Sequence, residues 1–292
     1  MEIRNAGFDQ VRADDVLRLL VREQLARHRV VLFRNQRGIR AHELSAFMST
    51  FGPLLNIRAQ NNNAHHVPDD DIVKVISNMK APDGRPLGDG NSSAQVWHSD
   101  GTVWEVPTAT NAMYCRVAPA PAPKTSFLDM IKVYADLPAD LKDRIRELRV
   151  IHHVYDRQLE VNIDRFGESL PAERRRQGTV HPLVRRHMAT GAPILYLPTR
   201  RDSVVAGWSD QDSRALMGEL KGYVERSARS CSVGLVPDDL VIWDNTATLH
   251  SREGWPPEAG RAVWHVASEG EIPTPLYGQR NKNPYSSHLT PA

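Results

Sequence analysis

His98 and Asp100 lie in the run Val96-Trp97-His98-Ser99-Asp100-Gly101, in the first half of a 292-residue chain, and the residue that would complete their chemistry, His250, stands near its end. Residues i and i+2 of a strand project from one face, so His98 and Asp100 can present an imidazole and a carboxylate to the same point. A second imidazole from His250 would place two His and one carboxylate on one triangular face of a metal. That set leaves coordination positions open and is the usual signature of a non-heme Fe(II) oxygenase. The consequence for folding is that segments from both sides of any central cut must converge. One domain spanning 1–292 is therefore expected.

His-x-Asp alone is a weak signal, since a strand His hydrogen-bonded to a nearby Asp has the same spacing. Its surroundings strengthen it. Asp89-Gly90-Asn91-Ser92-Ser93 reads as a loop leading into Gln95-Val96-Trp97, which puts the pair at a loop-to-strand junction, where binding residues concentrate. Leu240-Val241-Ile242-Trp243 reads as a buried strand after the Pro237-Asp238-Asp239 turn and delivers His250 just beyond. Arg261 opens another apolar strand, and an arginine there can hold a carboxylate through two parallel hydrogen bonds. The co-substrate that would need it is 2-oxoglutarate, whose keto-acid end chelates iron while its far carboxylate reaches Arg261.

The same segments resemble the taurine dioxygenase and 2,4-dichlorophenoxyacetate dioxygenase family of Fe(II)/2-oxoglutarate enzymes. The similarity lies in Trp97-His98-Ser99-Asp100, in Trp243-Asp244-Asn245 before His250, in the stretch from Lys124 to Met130, and in His181-Pro182-Leu183-Val184-Arg185. It extends from Arg29 to Ser268. The resemblance implies His98, Asp100 and His250 as iron ligands and Thr125 as a partner of Arg261 at the far carboxylate. It also implies O2 as oxidant, succinate and carbon dioxide as products, and a double-stranded β-helix, or jelly roll, as the core. Three positions depart from the family pattern. Thr246 stands where an Arg is common, Ala122-Pro123-Lys124 replaces Gly-Gly-Asp, and His265 replaces a second Arg that clamps substrate anions in sulfonate-oxidising members.

Strand alternation puts Arg261, Val263 and His265 on one face, so a site that takes in Arg261 should also take in His265. A mostly neutral imidazole cannot reproduce the permanent charge or the two-pronged grip of Arg. The expected reaction is therefore hydroxylation or desaturation of a C–H bond in a small organic metabolite other than taurine. An amino-acid derivative is one such metabolite. His65 and His66, after Asn61-Asn62-Asn63, are further candidates for substrate contact from a loop. His152, His153 and His181 are expected to serve structure. Two other readings of the metal ligands stay open on the residues alone: a zinc hydrolase, since catalytic zinc also takes two His and a carboxylate, and a non-enzymatic β-barrel binding protein.

With 40% hydrophobic and 25% charged residues the chain is of ordinary globular composition, and a net charge of +2 gives no field for nucleic acid. Arg174-Arg175-Arg176 and Arg185-Arg186-His187 are expected as solvated clusters. The two cysteines, Cys115 and Cys231, indicate no disulfide framework and are expected buried and reduced. No apolar run reaches membrane-spanning length and the N-terminus does not begin a signal peptide, so a cytoplasmic location without a membrane partner is expected, with a homo-oligomer left open.

Helices are predicted over Asp14–Leu25, His42–Phe51, Leu137–Leu148 and Asp210–Arg226. Strands are predicted at Val30–Phe33, Ile72–Ile76, Ala112–Val117, Thr125–Met130, Val150–Tyr155, Ile194–Leu197, Leu240–Trp243 and Arg261–Val266. Short strands in the centre and at the end, with helices in front and in crossovers, give an α+β class. The stretch Met79–Asn91 is too long for a simple connection and is expected as a lid or an unstructured segment.

Overall fold

The computed structural model describes residues 1–3, 7–56, 65–68, 70–152, 178–198 and 203–277. The predicted His153 and the Arg174-Arg175-Arg176 cluster lie outside them. The chain divides into two compact units, one of Met1–Trp97, Thr108–Phe127 and Cys231–Gly270, the other of His98–Pro107, Leu128–Ser230 and Glu271–Ala292.

The first unit is built on a seven-stranded sheet. Its strands, in chain order, are β1 (Glu2–Ile3), β2 (Val30–Phe33), β3 (His66–Val67), β4 (Asp70–Ser77), β6 (Thr108–Val117), β13 (Leu240–Asp244) and β15 (Ala262–Glu269), arranged β1-β2-β13-β6-β15-β4-β3. A four-stranded sheet, in the order β12-β7-β14-β5, is formed by β5 (Gln95–His98), β7 (Lys124–Asp129), β12 (Ser230–Gly234) and β14 (Thr248–Arg252). The larger sheet is apolar on both faces because each face has its own core. Val31, Phe33, Ala112, Tyr114, Leu240 and Ile242 pack with Val21, Leu25, Leu44 and Phe47 of helices α2 (Asp15–His28) and α3 (Ala41–Met48). The alternate residues Val30, Leu32, Met113, Cys115, Val241, Trp243 and Val263 instead pack with Phe127 of the smaller sheet. The period of two thus sorts each strand's side chains into a helix-facing and a sheet-facing layer.

Helix α2 runs longer than predicted. Asp14 accepts from the backbone N–H of Val16 and Leu17 at its start, and Arg29, at φ 66°, ends it in a left-handed turn one residue before β2. Two short elements, β1 and helix α1 (Phe8–Ala13), carry too few residues for a periodic signal.

Met79–Asn91 is not a free lid. Ser77 N–H donates to the Asp89 carbonyl, Asp89 N–H to the Val75 carbonyl and Leu87 N–H to the Met79 carbonyl, which clips the segment along β4. Gly88 makes this possible, because a Cβ there would lie 2.8 Å from Ser77 Cβ and 2.9 Å from the Val75 carbonyl oxygen. Cys115 is buried as expected, but Cys231 is exposed, because β12 is the edge strand of its sheet.

In the second unit β8 (Arg149–His152) pairs with β9 (Thr179–Pro182), and β10 (Val184–Arg186) with β11 (Pro193–Leu195). A helix not predicted, α4 (Met130–Asp136), ends before Pro138, which has no N–H to continue it, and the helix predicted over Leu137–Leu148 is the shorter α5 (Ala139–Ile145). Strand β7 likewise stops at Asp129, whose carboxylate caps α4 by accepting from Ile131 and Lys132 N–H. Helix α6 (Asp210–Arg226) has the bounds predicted and is capped by Ser209. Arg185, expected in solvent, is 1% exposed, with its guanidinium carbon 4.9 Å from the centre of the Tyr196 ring. No helix among the described residues is long and apolar enough to cross a membrane.

Candidate metal and co-substrate site

His98 ends β5, Asp100 follows it, and His250 is the middle residue of β14, which neighbours β5 in the four-stranded sheet. One ligand atom from each of the three side chains lies within 4.8 Å of the others. His98 Nε2 and Asp100 Oδ1 are 3.7 Å apart. With metal–ligand bonds of about 2.0–2.2 Å, one cation can touch all three after small side-chain adjustments. The route to this convergence differs from the expected strand alternation. The strand ends at His98, and the chain turns at Asp100-Gly101, with Gly101 at φ 70°, so the carboxylate arrives from a turn.

That turn is held from β9. Thr179 Oγ1 donates to the Val103 carbonyl at 2.6 Å, and His181 Nε2 lies 3.0 Å from the carbonyl oxygens of both Thr102 and Trp104. A nitrogen facing two carbonyls carries the proton, so His181 is a neutral donor there. Burial, and then the nearby Arg185 charge, push its pKa down to about 4. His181 thus serves structure, as expected, at the back of the Asp100 turn.

His250 is fixed from the other side by the turn between β13 and β14. Asp244 accepts from both the N–H and the hydroxyl of Thr246, Thr248 Oγ1 donates to the Asp244 carbonyl, and Asn245 Nδ2 donates to Thr108. Thr246, the departure from the family's Arg, therefore closes the turn with its own hydroxyl. The His250 ring lies 5.2 Å from that of Trp243 and 6.3 Å from that of Phe127, so aromatic walls shield its outer edge.

Arg261 immediately precedes β15 and is 3% exposed. Among the described residues no acidic side chain comes within ion-pair distance of it, and burial lowers its pKa. A buried guanidinium without a counter-charge is costly unless an anion meets it. Thr125, on β7, is 2% exposed and its Oγ1 has no hydrogen-bond partner among the described residues. An unpaired cation and an unpaired hydroxyl suit the two needs of a carboxylate.

His265 shares the sheet-facing side with Val263, is 9% exposed, and its ring lies 6.0 Å from Trp243, which also borders His250. The two loop histidines are tied to β4 instead. His65 Nδ1 is 2.8 Å from Asp89 Oδ1, whose other oxygen pairs with Lys74 at 3.2 Å, and His66 lies in β3. Phe127 and Trp255 were not singled out from sequence. Phe127 sits two residues after Thr125 on the same strand face, which alternation alone could have indicated.

The profile of the family described as taurine catabolism dioxygenase TauD, TfdA family, matches residues 2–267. The chain belongs to that family. Its dioxygenases use Fe(II), 2-oxoglutarate and O2, and the chain is an oxidoreductase of that kind with a small organic molecule as substrate. It is 26% identical over 250 residues to pentalenolactone F synthase of Streptomyces arenae, covering 82% of each chain. It is 26% identical over 261 residues to the alpha-ketoglutarate-dependent 2,4-dichlorophenoxyacetate dioxygenase of Burkholderia sp. (strain RASC), covering 86% of this chain and 84% of that one. A taurine dioxygenase from Burkholderia xenovorans superimposes with a TM-score of 0.73 at 22% identity, over 97% of this chain and 90% of that one. The jelly-roll core expected from the sequence is thus the fold of the chain.

Proposed function

We propose that His98, Asp100 and His250 hold Fe(II), that Thr125 and Arg261 hold the far carboxylate of 2-oxoglutarate, and that 1–292 works as one dioxygenase domain. The observation carrying this reading is the pairing of a three-ligand cluster with a buried arginine that lacks an acidic partner among the described residues. When bound, iron and 2-oxoglutarate supply oxidative decarboxylation coupled to oxidation of a substrate C–H bond, with succinate and carbon dioxide released. Zinc would accept the same three ligands, but a hydrolase gives Arg261 and Thr125 no task.

The protein's own part is to position and exclude. Asp100 contributes the one anionic ligand and is held by its turn, while Trp243 and Phe127 keep water from the outer edge of His250. Arg261 orients 2-oxoglutarate from its far end through a charge-assisted, two-pronged contact. His265, in place of a permanently charged residue, meets the substrate without the two-pronged grip of an arginine. The substrate is then a small organic metabolite other than taurine, held by weaker polar contacts and hydroxylated or desaturated. His65 and His66 are the further candidates for contact with it. The net charge of +2 argues against a nucleic-acid partner. We place the enzyme in the cytoplasm with no membrane partner.

Anaerobic addition of Fe(II) and 2-oxoglutarate tests the reading, because the chelate gives a weak visible charge-transfer band. Asp100→Ala should lose iron, band and turnover together. Iron content and turnover near those of the parent in that variant would remove Asp100 from the metal.

A further inference from the structure

We propose that Trp255 is a positioning residue for the co-substrate, acting by holding the Arg261 guanidinium against its indole face. The inference rests on the reading of Arg261 as the 2-oxoglutarate anchor and names what keeps that anchor aimed. The guanidinium carbon of Arg261 lies 5.4 Å from the centre of the Trp255 ring. With no acid in reach among the described residues, its charged end lies against that ring, with the Cys115 thiol also nearby. An arginine side chain has large rotamer freedom, and binding a carboxylate with two parallel bonds requires one orientation. A cation–π contact in a desolvated place supplies that orientation without neutralising the charge, which an Asp or Glu partner would do.

The ring is itself unusually well fixed for a residue in a connecting loop. Trp255 Nε1 donates to the Ala259 carbonyl at 2.9 Å and its backbone N–H donates to the Ser92 carbonyl at 3.0 Å. Arg252 lies against the same ring, 4.3 Å from its centre, and its Nη2 donates to the Ser93 carbonyl at 2.6 Å. Asn78 closes the far end, donating to the Ala259 carbonyl at 2.9 Å and accepting from Arg261 N–H at 2.8 Å. The loop between β14 and β15 is therefore braced against the segment that leads into β5. Trp255 links the co-substrate arginine to the strands that carry His98 and His250.

The test is a double-mutant cycle on 2-oxoglutarate binding, read anaerobically by calorimetry and by the charge-transfer band of the Fe(II) protein. Trp255→Leu keeps bulk and removes the aromatic face, so 2-oxoglutarate affinity should fall about tenfold, in line with a desolvated cation–π contact. Iron affinity should stay within about twofold, and kcat at saturating 2-oxoglutarate should change far less than the 2-oxoglutarate KM. Trp255→Phe restores a face and should recover most of the affinity. In an Arg261→Ala background, Trp255→Leu should have no further effect. If Arg261→Ala binds 2-oxoglutarate as the parent does, the anchor reading itself fails. If Arg261→Ala weakens binding but Trp255→Leu does not, or the two effects simply multiply, the anchor stands and the role of Trp255 is overturned. Should Trp255→Leu fold poorly, Trp255→Met, which also removes the aromatic face, gives the same decision in the same cycle, since a packing role predicts equal loss of iron and 2-oxoglutarate.

Discussion

Acid should weaken this fold through His181, and the size of the effect follows from its surroundings. Burial, and then the nearby Arg185 charge, hold the pKa of the His181 ring at about 4 against an ordinary 6.5, while the two carbonyls it faces pull more weakly the other way. In the unfolded chain the same ring protonates as pH falls through about 6.5, while the folded one stays neutral until about 4. Between those values the unfolded state binds more protons, so stability is full above the upper value and is lost progressively below it. At about 1.4 kcal/mol per unit the whole window is worth roughly 3 kcal/mol, and roughly 2 kcal/mol of that is gone by pH 5. His181→Gln keeps an N–H donor for the Thr102 and Trp104 carbonyls and removes the titration. Urea unfolding at pH 8 and pH 5 should show the variant less stable at pH 8, but losing roughly 2 kcal/mol less than the parent on acidification. Parallel losses in the two proteins would refute the assignment of His181 as a neutral, buried donor behind the Asp100 turn.

Other outcomes follow from single contacts. Gly88→Ala forces a Cβ to within 2.9 Å of the Ser77 nitrogen and the Val75 carbonyl, an overpacking cost of about 1–3 kcal/mol. Its thermal midpoint should fall by several degrees, whereas Gly218→Ala, on a helix with nothing within 4 Å, should hold or raise it; equal midpoints would show that Met79–Asn91 is not clipped to β4. Arg261→Lys keeps the charge and loses the fork, so the apparent constant for 2-oxoglutarate should rise about tenfold or more with iron affinity unchanged. The purified Fe(II) enzyme should release no appreciable sulfite from taurine, and His265→Ala should raise the constant for the true substrate; brisk sulfite release would overturn the first and an unchanged constant the second.

Much of the fold was legible because its strands obey one period. Val30–Phe33 and Leu240–Asp244 alternate between two apolar layers, and a run apolar on both faces is what a sheet covered on both sides requires. The proposed iron ligands were legible as residue types, but their geometry was not. Alternation would have kept Asp100 in a strand, whereas the strand ends at His98 and Asp100 lies in a turn with Gly101 at φ 70°. Arg185 was misplaced for a related reason. Composition treats neighbouring basic residues as one exposed patch, while β10 sends Arg185 inward onto Tyr196 and leaves Arg186 outside.

Apart from the rings of Phe127 and Trp255, the contacts of the site that sequence did not reveal run through main-chain atoms. Thr179 and His181 hold the Val103, Thr102 and Trp104 carbonyls, Arg252 holds the Ser93 carbonyl, and Asn78 takes the Arg261 N–H. A carbonyl or an N–H exists at nearly every position, so such contacts place no demand on the residue type at the receiving end and leave no paired pattern to find. What they do demand is a donor or acceptor of one kind at the giving end. Thr179 and His181 are both buried, and each spends its side-chain polar group on carbonyls of the turn that carries Asp100. Ligand identity is thus written in side chains, while ligand geometry is set by what the backbone of such a turn is tied to.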